Sequence, residues 1–569
     1  MLAGTGRRYS PAMTGPIKNS FRLALAQLNP LVGDVAGNAE KARKARAEAA
    51  KNGADLVAFP ELFITGYPPE DLILKSAFIA AARSHIEALA AETADKGPAM
   101  LVGTPWAEDG QVYNAVAYLI DGQVDAARYK AELPNYGVFD EIRVFAPGPM
   151  PGPINFRGVR IGAPICEDIW RDEVCECLAE TGAELLIVPN GSPYSIDKFD
   201  HRLNHAVARV AETGLPLAYV NMIGGQDELV FDGGSFVLNS DSSLALQLPA
   251  WEERVEMLDW QRNEDGWKAT PGELATVEDG DEAHYLACVT GLRDYVTKNG
   301  FPSVVLGLSG GIDSALSAAI SVDALGPDKV RCVMLPYRYT SNESLSDAAE
   351  CAENLGARYD IVPIYDPVDG FGASLKPLFD GAPHDATEEN IQSRARGVIL
   401  MAISNKLGPM VVTTGNKSEV SVGYATLYGD MAGGFNPIKD LYKTQVYALA
   451  RQRNEHLPKG CLGPKGEVIP ANIITKAPTA ELKENQTDQD TLPPYDVLDD
   501  ILECLVEEEM PLAEIVARGH PPSVVERIQN LLYVAEYKRR QAAPGVKISA
   551  RNFGRDRRYP IKNRFREKL

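Results

Sequence analysis

Two groups of residues in this sequence have types and settings suited to chemistry. The first lies in Ser303 to Ser314, SVVLGLSGGIDS. Val304, Val305, Leu306 and Leu308 read as a strand covered on both faces, and Ser309, Gly310 and Gly311 let backbone amides approach an anion at the next helix N-terminus. This is the chemistry of a phosphate cradle. No Gly-Lys-Ser/Thr closes the loop, so it is not a Walker loop, and its glycines lack the spacing of a dinucleotide fingerprint. The second group is Glu61 after LVAFP, Lys130 after AARY and Cys166 in GAPICEDIW, each at the end of an expected strand. A cysteine becomes a thiolate to attack an amide, a carboxylate can take its proton, and an ammonium stabilises the thiolate and then the oxyanion. No histidine is required.

The elements that must hold these residues follow α/β grammar. RLALAQL, a helical stretch from Ala36 to Lys51, and ADLVAFPE read as strand, helix, strand. AMLVGTPW, then NAVAYLI and QVDAARY joined by Asp121 and Gly122, read as a strand and a hairpin, so this sheet is expected to be mixed. VRIGAPICED, ELLIVPN, PLAYVNMI and GSFVLN add strands that end near residue 248. An acidic stretch over 263–282, poor in large apolar groups, is the expected linker. It divides a first domain over 21–262 from a second over 283–569, with residues 1–20 a loose N-terminal extension. In the second domain a helix from about Glu282 to Lys298 precedes the phosphate loop. VRCVMLP, YDIVPI and PMVVTTG then alternate with helices, which implies a doubly wound parallel sheet with ligands at the strands' carboxyl ends. Short helices and a basic tail follow Pro493.

The 569 residues carry 57 basic against 78 acidic side chains, a formal charge of −21, which disfavours nucleic acid and favours small-molecule partners. No run approaches the roughly 20 apolar residues of a membrane span. The 8 cysteines form no zinc ribbon and no dense disulfide framework, as expected of a reducing, cytoplasmic setting.

SGGIDS resembles the pyrophosphate loop of the ATP pyrophosphatases, which split ATP between its α and β phosphates to make an adenylate. The Glu, Lys, Cys set resembles the nitrilase superfamily, and FPELFITGYPPEDL with CEDIW is close to its glutaminase members. That resemblance implies Glu61 as general base, Lys130 as oxyanion stabiliser and Cys166 as the nucleophile that forms a thioester. It further implies Glu141, in FDEIRVF, as a second acid near the site, and Tyr136, Ser192 and Lys198 as glutamine contacts.

From about Phe21 to Arg564 the chain resembles the glutamine-dependent NAD synthetases. The signs are ENIQSRARG, TGNKSE, FNPIKDLYKTQVYALA, KAPTAEL with Gln486 and LPPY after it, and RRQAAPGVKISARNFGRDRRYPI. The implied fold is a nitrilase-type α/β/β/α sandwich joined to a Rossmann-like, adenine nucleotide α-hydrolase-like sheet. The implied ATP contacts are Gly307, Leu308, Ser309, Gly310, Gly311, Ile312, Asp313, Ser314 and Thr414. Asn390, Glu419 and Lys547 would contact deamido-NAD, and Asp313 with Glu419 would hold magnesium. Arg394, Lys439, Lys443 and Lys476 are basic candidates near the phosphates. The resemblance implies ATP-dependent amidation of nicotinic acid adenine dinucleotide through an adenylate, with ammonia released from glutamine at Cys166 and passed through an internal tunnel. A homo-oligomer is expected. The rival readings are another amidotransferase of the same ATP class with a different acceptor, an RNA-modifying pyrophosphatase, and a non-catalytic scaffold.

Overall fold

A seven-stranded mixed sheet carries Glu61 and Lys130. Ser20–Gln27 runs parallel to Leu56–Ala58, which runs parallel to Ala99–Glu108, and the antiparallel strands Gln111–Ile120 and Gln123–Tyr129 complete that side. A six-stranded sheet packs against it and carries Cys166 just beyond Val159–Gly162. Alternation along the strands builds the layers. Leu23 and Leu25 join Ile161, Leu185 and Ile187 in a core between the sheets. Ala24, Ala26 and Val57 instead face the helices Val35–Lys51 and Ser76–Glu92. Leu186, Val188 and Tyr219 face Glu173–Glu180 and Lys198–Thr213 on the far side. The result is the expected α/β/β/α sandwich. This computed structural model describes residues 19–484 and 486–569. The extension expected over residues 1–20 therefore lies, except for its last two residues, outside the described residues.

The strands do not end near residue 248. Arg254–Asn263 pairs antiparallel with the whole of Ser20–Gln27, and Gly266–Ala269 adds the edge strand with Trp267 buried. Charge hid this hairpin: Arg254, Glu256 and Asp259 break the apolar pattern, yet Arg254 pairs with Glu256 at 2.8 Å and Asp259 with Arg22 at 2.7 Å. The acidic stretch over 263–282 is accordingly part sheet, and the connection narrows to the residues between Ala269 and Gly280.

The second half is built on a four-stranded parallel sheet in the order Arg358–Ile361, Val330–Met334, Val304–Gly307, Met410–Val411. Val304 and Leu306 face a core that includes Leu292 and Leu316, while Val305 faces Val368 and Ala395, so helices cover both sides as the buried run implied. The chain order reverses direction at Val304–Gly307, which is where open α/β sheets leave a crevice for ligands.

The halves meet along a hairpin absent from the sequence reading, Ile223–Gln226 with Leu229–Asp232. Its Val230 is fully buried in the second half's core. Asp294, on the helix Gly280–Lys298, accepts bonds at 2.7 Å from Asn29 Nδ2 and Gly225 N, and Lys298 donates to Asn29 Oδ1 at 2.7 Å and to Gly225 O at 2.8 Å. Among the described residues no helix is long and apolar enough to cross a membrane, and all the cysteines are free.

Candidate active sites

In the first half the structure brings Glu61, Lys130 and Glu141 into one buried cluster. Lys130 Nζ donates to Glu61 Oε1 at 2.7 Å and to Glu141 Oε1 and Oε2 at 2.9 and 3.1 Å. Asn114 Nδ2 donates to Glu61 Oε1 at 2.7 Å, the Gly191 amide donates to Glu61 Oε2 at 2.9 Å, and Tyr67 OH donates to Glu141 Oε1 at 2.8 Å. A Cβ at residue 191 would come within 2.9 Å of the Tyr67 ring and 3.2 Å of Glu61 Oε2, so only glycine lets this backbone approach so closely. Burial disfavours the Lys130 ammonium, but Glu141 and Glu61 outweigh it and hold the group charged well above the usual lysine range. Burial raises the Glu141 carboxyl; Lys130 pulls it down and Glu61 pushes it up.

Cys166 opens a single helical turn, Cys166–Ile169, with a left-handed φ of 46°. A non-glycine residue there is strained, which is tolerated where the surroundings fix the turn. Its thiol is pushed well above the ordinary cysteine value by burial and then by the Glu61 charge, while Lys130 and the Gly191 amide pull it down. Cys166 therefore rests as a thiol close to the Glu61 and Lys130 charges.

Around it lie the expected glutamine contacts. Tyr136 OH donates to Glu167 at 3.0 Å, and Lys198 Nζ sits 4.0 Å from the centroid of the Trp170 ring. Burial, helped by Arg202, lowers Lys198 to about 8, with Cys166 and Glu167 pulling it back up. Ser192 is held rather than free: Arg202 Nε donates to its Oγ at 3.0 Å, and Arg202 is itself paired with Asp232 at 2.8 Å.

In the second half a cavity of about 480 Å³ opens at the ends of the central strands. Gly307, Leu308, Ser309, Ser314, Thr414 and Asn390 line it, together with Arg396, Tyr424 and Glu481. Ser309 Oγ and Ser314 Oγ lie 3.1 Å apart, and Gly311 N donates to Ser309 Oγ at 3.2 Å, so the loop's two hydroxyls and one of its amides bond within it. Gly310 has φ 78°, and a Cβ there would meet Ser344 O at 2.4 Å. Asp313 belongs to a neighbouring cluster. Lys443 Nζ pairs with Asp313 Oδ2 and with Glu419 Oε1, the latter at 3.0 Å, and Asn416 Nδ2 donates to Asp313 Oδ1 at 2.9 Å. Burial raises the Glu419 carboxyl; Lys443 opposes this and Asp313 and Asp488 reinforce it.

Comparison with known proteins decides the family. Residues 22–264 match the carbon-nitrogen hydrolase model and residues 284–542 the NAD synthase model. The chain is 54% identical over 547 residues to the glutamine-dependent NAD(+) synthetase of Rhodobacter capsulatus, covering 96% of this chain and 99% of that one. It belongs to the glutamine-dependent NAD(+) synthetases. The Xylella fastidiosa enzyme of that name is 47% identical, covering 96% and 99%. The solved structure of the Acinetobacter baumannii synthetase in complex with adenosine diphosphate superposes with a TM-score of 0.76 at 43% identity, covering 95% of this chain and 98% of that chain.

Lys547, which the synthetase resemblance assigns to deamido-NAD, and three of the four basic candidates near the phosphates are engaged by other partners. Lys547 is not in the cavity lining; its Nζ donates to Ser549 O at 2.6 Å and pairs with Asp556 at 3.0 Å, and its charge helps to lower Lys198 across the boundary between the halves. Lys439 pairs with Glu228 of the inter-half hairpin at 2.7 Å, Lys476 pairs with Asp347 at 2.7 Å, and Arg394 Nε donates to Leu427 O at 3.2 Å. Of the four basic candidates only Lys443 meets Asp313. Gly310, Gly311, Ile312 and Asp313 shape the loop without lining the cavity. Two further polar residues carry only a faint sequence signal: Glu167, directly after Cys166, and Asn416, which caps Lys417–Val422 through its side chain while donating to Asp313.

Proposed function

We propose that this chain amidates deamido-NAD to NAD at the expense of ATP, using ammonia that it releases from glutamine at Cys166. The observation that supports this best is the pairing, in one chain, of a strained cysteine beside the Glu61–Lys130–Glu141 cluster with a phosphate loop beside the Asp313–Lys443–Glu419 cluster.

In the first half Glu61 takes the Cys166 proton as sulfur attacks the side-chain amide of glutamine. Lys130, kept charged by its two carboxylates, stabilises the oxyanion. Glu61 returns the proton to the departing ammonia and then accepts one from the water that cleaves the thioester. Glu167 receives the α-ammonium of glutamine and Lys198 its α-carboxylate, with Tyr136 and Ser192 closing the pocket. Lys198 sets a pH limit. It is charged below about 8 and neutral above, so KM for glutamine is expected to rise as pH passes through about 8 while ammonia-dependent synthesis does not change in step. Steady-state titration of both activities checks this, and Lys198→Met should flatten the KM profile.

In the second half the nicotinate carboxylate attacks the α-phosphorus of ATP and pyrophosphate leaves. Ser309, Ser314 and the loop amides hold the phosphates, while Thr414 and Asn390 position the nucleotides. Asp313 and Glu419 fit magnesium: two hard carboxylates share one cation, Lys443, and magnesium typically takes one or two carboxylates beside phosphate oxygens. Among the described residues no group of three His, Cys, Asp or Glu side chains is arranged to hold a metal, which suits an ion that arrives with the nucleotide. When bound it would neutralise charge gathering on the leaving pyrophosphate.

Ammonia is mostly protonated in neutral water, so a dry internal passage between the halves preserves its nucleophilicity. The chain is taken to work as a homo-oligomer. The exposed Val398 and Met401 on Ala386–Leu407, beside exposed Tyr428, offer an apolar face for a second copy. The deciding assay supplies deamido-NAD, ATP and glutamine and follows products: NAD, AMP and pyrophosphate support the reading, and ADP with orthophosphate overturns it.

A further inference from the structure

Asp168 stands two residues after Cys166, fully buried, and takes no part in the chemistry above. Its Oδ1 accepts from the amides of Ala131 at 3.0 Å and Glu132 at 2.8 Å, and its Oδ2 accepts from the amide of Ile165 at 2.8 Å. Ala131 follows Lys130 in the chain, and Ile165 precedes Cys166. We infer that Asp168 is a positioning residue that sets the Lys130 ammonium and the Cys166 thiol relative to each other by clamping the backbone on which each is carried.

This rests on the Glu61, Lys130, Cys166 reading and explains how two groups from different sheets keep one geometry. A carboxylate that accepts on both oxygens has little freedom to turn, and the Ile165 amide it serves would otherwise be a buried donor without a partner. Capping the turn Cys166–Ile169 requires only the bond to Ile165. The bonds to Ala131 and Glu132 cross to the chain leaving the other sheet and add nothing to that cap. Cys166 also needs such a restraint, because its φ of 46° is not one a cysteine holds unaided. Burial leaves the Asp168 carboxyl raised to about 7 even though the amides of Glu132 and Ile165, Lys130 and the Ala131 amide all pull it down, so the clamp stands on the geometry of its three amide donors.

Asp168→Asn tests the inference. An amide presents one oxygen, which satisfies the two donors at Ala131 and Glu132 and turns an NH2 toward the Ile165 amide, so the cysteine side alone is released. The kcat for glutamine hydrolysis is expected to fall roughly 10- to 100-fold, with KM for glutamine within about threefold of the parent. Alkylation of Cys166 by iodoacetamide should slow alongside, while ammonia-dependent amidation persists and reports a folded chain. A kcat within about twofold of the parent, or a loss shared with ammonia-dependent amidation, overturns the inference. Should the variant fail to accumulate, hydrogen exchange on the parent chain decides it. The Ala131, Glu132 and Ile165 amides should open together, and separate opening of Ile165 overturns the clamp. Cys166→Ala in the same assay separates the two claims. If it retains glutaminase activity the Glu-Lys-Cys reading fails; if it is dead while Asp168→Asn is unimpaired, only the clamp fails.

Discussion

Cys166→Ala is expected to abolish synthesis from glutamine, by at least on the order of ten-thousand-fold, while synthesis from added ammonium salts stays within about twofold of the parent. The asymmetry follows from where the residue sits. Cys166 belongs to the core between the two sheets of the first half, whereas the phosphate loop and the Asp313–Lys443 pair lie on the second half's own sheet. Removing one buried sulfur deletes the proposed nucleophile and leaves the Glu61–Lys130–Glu141 cluster able to close on itself, since the hydrogen bonds that hold it together are made without Cys166. Free ammonia still reaches the acceptor, because the cavity of about 480 Å³ opens in the second half. The measurement is NAD formation with each nitrogen source at saturating ATP and deamido-NAD. Loss of both activities in a folded variant would show that the sites are not independent. Persistent glutamine use would remove Cys166 from the chemistry.

The parts of the fold legible in the sequence are those whose signal is local. The buried run before SGGIDS gave a central parallel strand because full burial on two faces leaves a continuous apolar string. The meeting of Glu61 with Lys130 was legible because each follows a strand of the same sheet, where rigid backbone ends. Long-range charge pairing was not legible. Arg254–Asn263 reads as a polar segment until Arg22, from the far end of the domain, supplies the partner of Asp259. Lys439 and Lys547 read as anion contacts because a lysine in isolation advertises only its charge; Glu228, 211 residues from Lys439, and Asp556, in the loop that follows Lys547, turn both into ties within the boundary region. Lys443 differs because its partners, Asp313 and Glu419, are the carboxylates proposed to hold magnesium.

Asp313→Asn carries the second large effect, and it falls on both nitrogen sources alike. Asp313 lies in the first turn of the helix Ile312–Leu325 behind the phosphate loop and shares Lys443 with Glu419. The amide keeps the shape but gives up the charge, so Lys443 retains only Glu419 as an anionic partner and the hard oxygen pair expected for magnesium becomes a single carboxylate. Synthesis is expected to fall at least roughly 100-fold from either glutamine or ammonia, the scale on which preorganised charge acts at a transferring centre. Glutamine hydrolysis measured without acceptor should survive, since Cys166 and its neighbours are untouched. A thermal shift of the chain by ATP with magnesium separates binding from chemistry. If that shift disappears with the activity, Asp313 holds the nucleotide's metal; if the shift remains while turnover is lost, Asp313 acts later, on the charge that moves to pyrophosphate. Unchanged ammonia-dependent turnover would leave Lys443 and Glu419 to do without Asp313 and would remove it from the adenylating site.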